Sequence, residues 1–230
     1  MTLVAEIKDA PQAKSADTKS GFVEFKDVTF SYPGAEQPAL CNITFSASPG
    51  EVTAIIGGTG SGKSTLVSLI PRFYDIDSGS ILVDGVDVRE MTQQHLRAKI
   101  GFVPQKVVLF SGTIAENIRY GKKDATDDEI KRATQTAQAT EFISGMPDGF
   151  ASIIAQGGTN ISGGQKQRLS IARALVRRPE IYVFDDNFSA LDFKTDALLR
   201  AALKKEIRYF MKKKLTLLVL SQELLDLTAL

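Results

Sequence analysis

Apolar and polar residues alternate along Phe22-Val23-Glu24-Phe25-Lys26-Asp27-Val28-Thr29-Phe30, the two-residue period of a strand with one buried face. A second alternating run covers Ile43-Thr44-Phe45-Ser46-Ala47, and Pro33-Gly34 and Pro49-Gly50 supply turns after the first and second runs. Val52 to Ile56 reads differently, as a fully apolar strand of the buried parallel type. The spacing then becomes helical at Leu66, Val67, Leu69 and Ile70. Ser78 to Val88 has the pattern of a hairpin folded at Asp84-Gly85, and Ile100-Gly101-Phe102-Val103 that of a short strand running into a loop at Pro104-Gln105. Helix returns at Thr126-Asp127-Asp128-Glu129, a capping box followed by Ile130, Ala133, Ala137, Phe142 and Ile143. Ile181-Tyr182-Val183-Phe184 is one more buried strand, ending on Asp185.

This order of elements predicts an α/β fold: a mixed core sheet, an antiparallel β region near the N-terminus, and an α-helical subdomain inserted over about residues 111–161. Residues 1–21 carry no periodicity and are expected to form a linker or mobile tail, with one domain over residues 22–230.

Composition narrows the chemistry. With 43% apolar residues in 230, the chain buries a substantial core, and a net charge of +1 gives no global field towards nucleic acid or an anionic membrane. Cys41 is the only cysteine, so an intrachain disulfide framework and a cysteine metal cluster are excluded, and a reducing, cytoplasmic setting fits best. His95 is the only histidine; any Ser-His triad would have to use it, and its polar surroundings predict a solvated helix position instead. No run of 18 apolar residues is present to span a bilayer, and Met1 to Ser20 lacks the apolar stretch of a signal peptide.

Between the apolar strand and the helical spacing lies Gly57-Gly58-Thr59-Gly60-Ser61-Gly62-Lys63-Ser64-Thr65, which fits G-x-x-x-x-G-K-[ST]. Glycines let the backbone curl so that successive N–H groups point at phosphate oxygens, and the following helix adds its positive N-terminal end. Lys63 would reach the β- and γ-phosphates, and the Ser64 hydroxyl would ligate Mg²⁺. A glycine-rich turn that happens to carry a lysine is the plainer alternative, and the strand–loop–helix context argues against it. Asp185 and Asp186 stand at the C-terminal edge of a strand, where a phosphate loop needs a metal ligand and a water-orienting group, which makes Asp185 the metal candidate and Asp186 the catalytic one.

Ile161-Ser162-Gly163-Gly164-Gln165-Lys166-Gln167-Arg168-Leu169, upstream of that strand, is on its own a capping box opening a helix. In this order it closely resembles the signature motif of ATP-binding cassette (ABC) proteins, and the resemblance runs from about Phe22 to Leu203. It implies a P-loop NTPase core with a RecA-like sheet. By the same resemblance Tyr32 stacks on adenine, and Gln105 senses the γ-phosphate, joins the metal shell and faces a membrane domain. Ser189-Ala190-Leu191-Asp192 matches the loop that crosses the dimer, and Phe110 to Ile118 resembles the exporter branch. The family works as a head-to-tail pair, in which Ser162, Gly163, Gly164 and Gln165 of one subunit cover the nucleotide held by the other's phosphate loop.

Three departures from the family pattern stand out. Asp186 replaces the glutamate that follows the strand aspartate, one methylene shorter, and a misplacement of about 1 Å can cost on the order of 10²-fold in rate. Ser221 or Gln222 stands where a switch histidine is expected. The tail from Arg208 departs from the pattern, with Lys212-Lys213-Lys214 before an apolar stretch. The resemblance is thus to the degenerate-site subunit of a heterodimeric multidrug or lipid exporter, with a homodimer in which Asp186 still orients water as the alternative. Such a chain binds Mg·ATP, turns it over weakly alone, pairs with a second nucleotide-binding domain, and drives a transmembrane export domain expected to precede residue 1. A soluble cassette ATPase acting on DNA or ribosomes would carry a second cassette, coiled-coil arms or a basic stripe, so no nucleic-acid partner is expected. A regulatory module that holds ATP without turnover is the other alternative.

Overall fold

Two sheets divide the strands between them in this computed structural model, which describes residues 7–11, 13–14, 20–185, 191–211 and 216–221. The first sheet is antiparallel and contains β1 (Val23–Phe30), β2 (Leu40–Ala47), β4 (Ser78–Val83) and β5 (Val86–Asp87), in the order β2-β1-β4-β5. Val23, Phe25, Val28 and Phe30 of β1 are all buried although their spacing skips phase between Phe25 and Val28. Register shifts between Phe25 and Val28 against β2, and Asp27 takes φ 48°, so a bulge returns the apolar side chains to the same face. Asp84 and Gly85, at φ 52° and 80°, close the β4–β5 hairpin as the two left-handed residues of a tight turn.

The second sheet is parallel throughout, in the order β3-β10-β9-β6: β3 (Val52–Ile56), β10 (Thr216–Ser221), β9 (Ile181–Phe184) and β6 (Ile100–Val103). The mixture of directions expected of one core sheet is therefore spread over separate sheets, the smallest being the antiparallel pair β7 (Gly112–Thr113) and β8 (Ile153–Ile154). β9 is buried along its whole length because it serves two cores. Ile181 and Val183 pack with Phe25, Leu69, Ile70 and Met91, while Tyr182 and Phe184 on the opposite face pack with Ile114, Ile118, Ile130 and Leu169. β3 corrects the expectation of a buried strand. Val52 and Ile56 are 38% and 43% exposed, because among the described residues β3 ends the sheet with β10 as its one strand neighbour.

Helices α1 (Lys63–Ser68) and α2 (Gln93–Ala98) belong to the sheet cores, whereas α3 (Ile114–Arg119), α4 (Asp127–Thr136) and α5 (Thr140–Ser144) gather against α6 (Gly163–Leu175). α7 (Phe193–Met211) follows β9 in sequence. Thr126 and Glu129 cap α4 reciprocally, and Thr113 and Glu116 do the same for α3.

Among the described residues of the segment expected to be a linker or mobile tail, three bonds reach the domain: the Gln93 backbone N–H donates to Asp9 Oδ1 at 2.9 Å, Gln93 Nε2 to the Ile7 carbonyl at 3.2 Å, and the Arg72 guanidinium to the Lys8 carbonyl at 3.3 Å. The expectation of a solvated His95 is corrected. His95 is half-buried on α2, and its Nε2 is enclosed without a hydrogen-bond partner among the described residues. The deepest charge cluster lies nearby. Lys99 donates to Asp84 Oδ2 at 2.9 Å and to Glu180 Oε2 at 2.7 Å, and the Asp84 side chain, fully buried, also accepts from the Phe22 N–H. Burial works against the Lys99 charge, but the bonds to Glu180 and Asp84 outweigh it and hold its pKa above the ordinary lysine value.

Candidate functional site

β3 ends at Ile56, and the chain then curls through Gly57 to Gly62 before α1 begins at Lys63. Gly62 is the N-cap in the left-handed region, φ 87°, and a Cβ there would stand 2.9 Å from Leu40 Cδ2, so the bend demands glycine. The first intrahelical bond runs from the Leu66 N–H to the Gly62 carbonyl, which leaves the N–H groups of the preceding turn available to an anion. Lys63 is folded back over this loop, its Nζ donating to the carbonyls of Gly57 at 2.6 Å and Gly58 at 2.9 Å. Its ammonium therefore sits at the mouth of the curl rather than in bulk solvent.

The loop opens into a cleft of about 320 Å³ lined by Thr59, Gly60, Ser61, Gly62, Lys63, Ser64 and Thr65 together with Tyr32, Ala39, Gln105 and Asp185. Four separate parts of the sequence meet there. Asp185 arrives at the end of β9, its backbone N–H bonded to the Val103 carbonyl, and its Oδ1 accepts from Ser64 Oγ at 2.8 Å. Gln105 follows β6 on the neighbouring strand. Tyr32 comes from the loop after β1, where the Ala35 N–H to Tyr32 carbonyl bond closes a turn, and its hydroxyl lies 2.8 Å from Thr65 Oγ1. β10 ends with Ser221 paired to Ile56, directly before the loop.

Ser64 Oγ and the Asp185 carboxylate form an oxygen-only pair beside Lys63, the donor set of a hard divalent cation that keeps most of its waters and takes its remaining ligands from phosphate. No group of three or more His, Cys, Asp or Glu side chains gathers elsewhere among the described residues. The cleft thus suits a metal–phosphate complex better than an all-protein metal cage.

Ser162, Gly163, Gly164 and Gln165 lie outside this cleft. Ser162 caps α6: its Oγ accepts from the Gln165 N–H at 3.2 Å while Gln165 Oε1 accepts from the Ser162 N–H at 2.9 Å. Ser162 and Gly163 are exposed, so this 13-residue helix turns its positive end outwards. Arg168 braces that end, donating to the Gln138 carbonyl at 2.8 Å with its guanidinium 4.9 Å from the Phe142 ring. Further along α6, Arg173 donates to the carbonyls of Val108 and Asn117 and clips the stretch after Gln105 to the helix. Asp192 caps α7, and its bonds from the Thr195 hydroxyl and N–H lower its pKa below the usual aspartate value.

Asp186, Ser189, Ala190 and Gln222 lie outside the described residues. Two residues of the cleft region escaped the motif reading: Ala39, and Tyr74, whose ring meets that of Tyr32. Each sits in a turn or helix end with no hydrophobic period to mark it.

With this geometry in hand, comparison with known proteins is informative. The family profile described as "ABC transporter" matches residues 40–189. An uncharacterized ABC transporter ATP-binding protein of Mycobacterium tuberculosis is 53% identical over 192 residues, covering 82% of this chain and 33% of its own length. An ATP-dependent lipid A-core flippase of Thiobacillus denitrificans is 47% identical, covering 80% of this chain and 32% of its own. A solved structure of a bacterial Atm1-family ABC exporter with ATP bound superposes with a TM-score of 0.89 at 36% identity, covering 95% of this chain and 37% of that one. The chain spans about a third of the length of the curated relatives it matches. No helix among its described residues is long and apolar enough to cross a membrane.

Proposed function

This chain belongs to the ABC transporter family, and from that premise we propose that it binds Mg·ATP in the Tyr32–Asp185 cleft, pairs with a second nucleotide-binding domain, and powers export through a transmembrane domain. The observation that carries the reading is the bond from Ser64 to Asp185, which joins the phosphate loop to the end of β9 at one edge of the parallel sheet. ABC exporters among its relatives and the ATP-bound exporter structure support the same assignment.

Each residue then has a definite task. Loop N–H groups and the Lys63 ammonium hold the β- and γ-phosphates, so Lys63 exchanges the carbonyls of Gly57 and Gly58 for phosphate oxygens. Tyr32 offers its ring to adenine. Ser64 and Asp185, with Gln105 nearby, would hold a Mg²⁺, which when bound would neutralise phosphate charge. Asp186 orients the attacking water, and its short side chain keeps turnover low at this chain's own loop. The exposed cap of α6 is shaped to close over phosphates held by a partner, with Ser162, Gly163, Gly164 and Gln165 as the contact. A heterodimer follows, in which this chain lends a sound signature to a competent partner site. Its location is the cytoplasmic face of the membrane.

ATPase assays on the chain alone and mixed with a nucleotide-binding domain carrying Glu and His at the two substituted positions test the proposal. Tight ATP binding, weak turnover alone and fast turnover with the partner are expected. Brisk hydrolysis by the chain alone, abolished by Asp186→Asn, would overturn the degenerate-site assignment.

A further inference from the structure

Tyr32 carries a ring that is 38% exposed, on a loop, and still it is held in one orientation. Three contacts hold it. Its hydroxyl meets Thr65 Oγ1 at 2.8 Å; the buried Phe30 ring meets it edge-on at a centroid distance of 5.0 Å and 78°; and Tyr74 meets it edge-on at 5.3 Å and 85°. Phe30 and Tyr74 also touch, at 5.5 Å, which closes a triangle of rings. Edge-to-face pairs are the favoured aromatic geometry, since the positive edge of one ring meets the negative face of another.

The Tyr74 ring is itself 39% exposed, and it is the chain on either side of it that is anchored. The segment before it is anchored by Arg72, whose guanidinium binds both oxygens of Asp75 at 2.6 and 3.0 Å, and by the Phe73 N–H bond to the Ser68 carbonyl. This segment continues directly from α1. The base-binding ring is thereby fixed from the phosphate-loop side by two attachments, Thr65 at the start of α1 and Tyr74 beyond its end.

We propose that Tyr74 is a positioning residue for nucleotide binding: its ring holds Tyr32 at the angle a nucleobase needs, so the base is met by a pre-set platform. The inference rests on the assignment of Tyr32 to the base. Without Tyr74, one of the three contacts on the Tyr32 ring is lost, and the added cost of ordering it falls on affinity for the base alone. The phosphates, held by Lys63 and the loop, are unaffected.

The test compares binding of ATP with binding of inorganic tripolyphosphate, which has the phosphates and no base, by calorimetry on the intact chain with Mg²⁺. Tyr74→Ala is expected to weaken ATP about three- to tenfold, the range of one aromatic pair, and to leave tripolyphosphate unchanged. Tyr74→Phe, which keeps the ring, should restore ATP affinity. Unchanged ATP affinity in Tyr74→Ala overturns the proposal, as does equal loss for both ligands in Tyr74→Ala and in Tyr74→Leu, the variant that keeps apolar bulk. Tyr32→Ala separates the two claims. If it fails to weaken ATP relative to tripolyphosphate, the base assignment itself falls; if it weakens ATP and Tyr74→Ala does not, only the role of Tyr74 falls.

Discussion

Ser64 Oγ donates to Asp185 Oδ1 at 2.8 Å across 121 residues of sequence, so the first turn of α1 and the end of β9 are fixed to each other. In this relation the carboxylate supplies the negative charge a cation needs and the hydroxyl lends a neutral oxygen. Asp185→Asn is expected to abolish the Mg²⁺ dependence of ATP binding to this chain and to lower the weak turnover of the chain alone by at least about 10²-fold. Titration of ATP with and without Mg²⁺ reads the first effect, and phosphate release the second.

Asp186→Glu restores the missing methylene. Combined with Gln222→His, it is expected to raise phosphate release by the chain alone at least about tenfold, because the limiting defect is reach and charge at the γ-phosphate rather than binding. The ATP dissociation constant should stay where it was.

Removing the Ser162 hydroxyl has a structural and a functional effect that differ in size. Ser162→Ala loses the side-chain half of the α6 cap and is expected to cost about 1 kcal/mol in urea unfolding. Stimulation by a competent partner should disappear, while ATP binding to the chain's own cleft is unchanged, since Ser162 does not line it.

Lys99 neutralises Asp84 where no water reaches the carboxylate. Lys99→Met is expected to destabilise the fold by about 3 to 5 kcal/mol, because an unpaired buried charge is left behind. The Lys99 pKa is raised on folding, so its stabilisation is complete below the ordinary value of 10.5 and is lost as pH climbs through the higher folded value. Unfolding midpoints across pH 9 to about 12 should fall more steeply in the parent than in Lys99→Met.

Acid acts on other groups. Glu116 is held below its ordinary pKa by the Thr113 backbone and side chain, and Glu129 by Lys122 and the Thr126 N–H. Both contributions are present above pH 4.5 and are lost as pH falls through the lowered folded values. Protection of the Thr113 and Thr126 amides, relative to their intrinsic exchange rates, should therefore fall in that window, and Glu129→Gln should flatten the response at α4.

Much of this was legible in sequence because it was written in local patterns. The hairpin at Asp84-Gly85, the capping boxes at Thr126 and Ser162, and the glycine curl before Lys63 each need only neighbouring residues to specify them. β3 was misjudged because an apolar composition does not reveal a strand's place in the sheet; as an edge strand it leaves Val52 and Ile56 partly exposed. The bonds of Ile7 and Asp9 to Gln93 were invisible for a related reason, since a polar segment without period gives no hint of a partner 84 residues away. Tyr74 escaped notice because its significance is the angle of its ring to Tyr32, which no spacing encodes.

The attachment of the N-terminal segment also links distant parts of the fold. The Ile7 carbonyl accepts from Gln93 and the Lys8 carbonyl from Arg72. The Arg72 N–H is in turn bonded to the Leu69 carbonyl, in the turn that closes α1, so two bonds connect the segment before β1 to the helix whose other end is the glycine loop at Lys63.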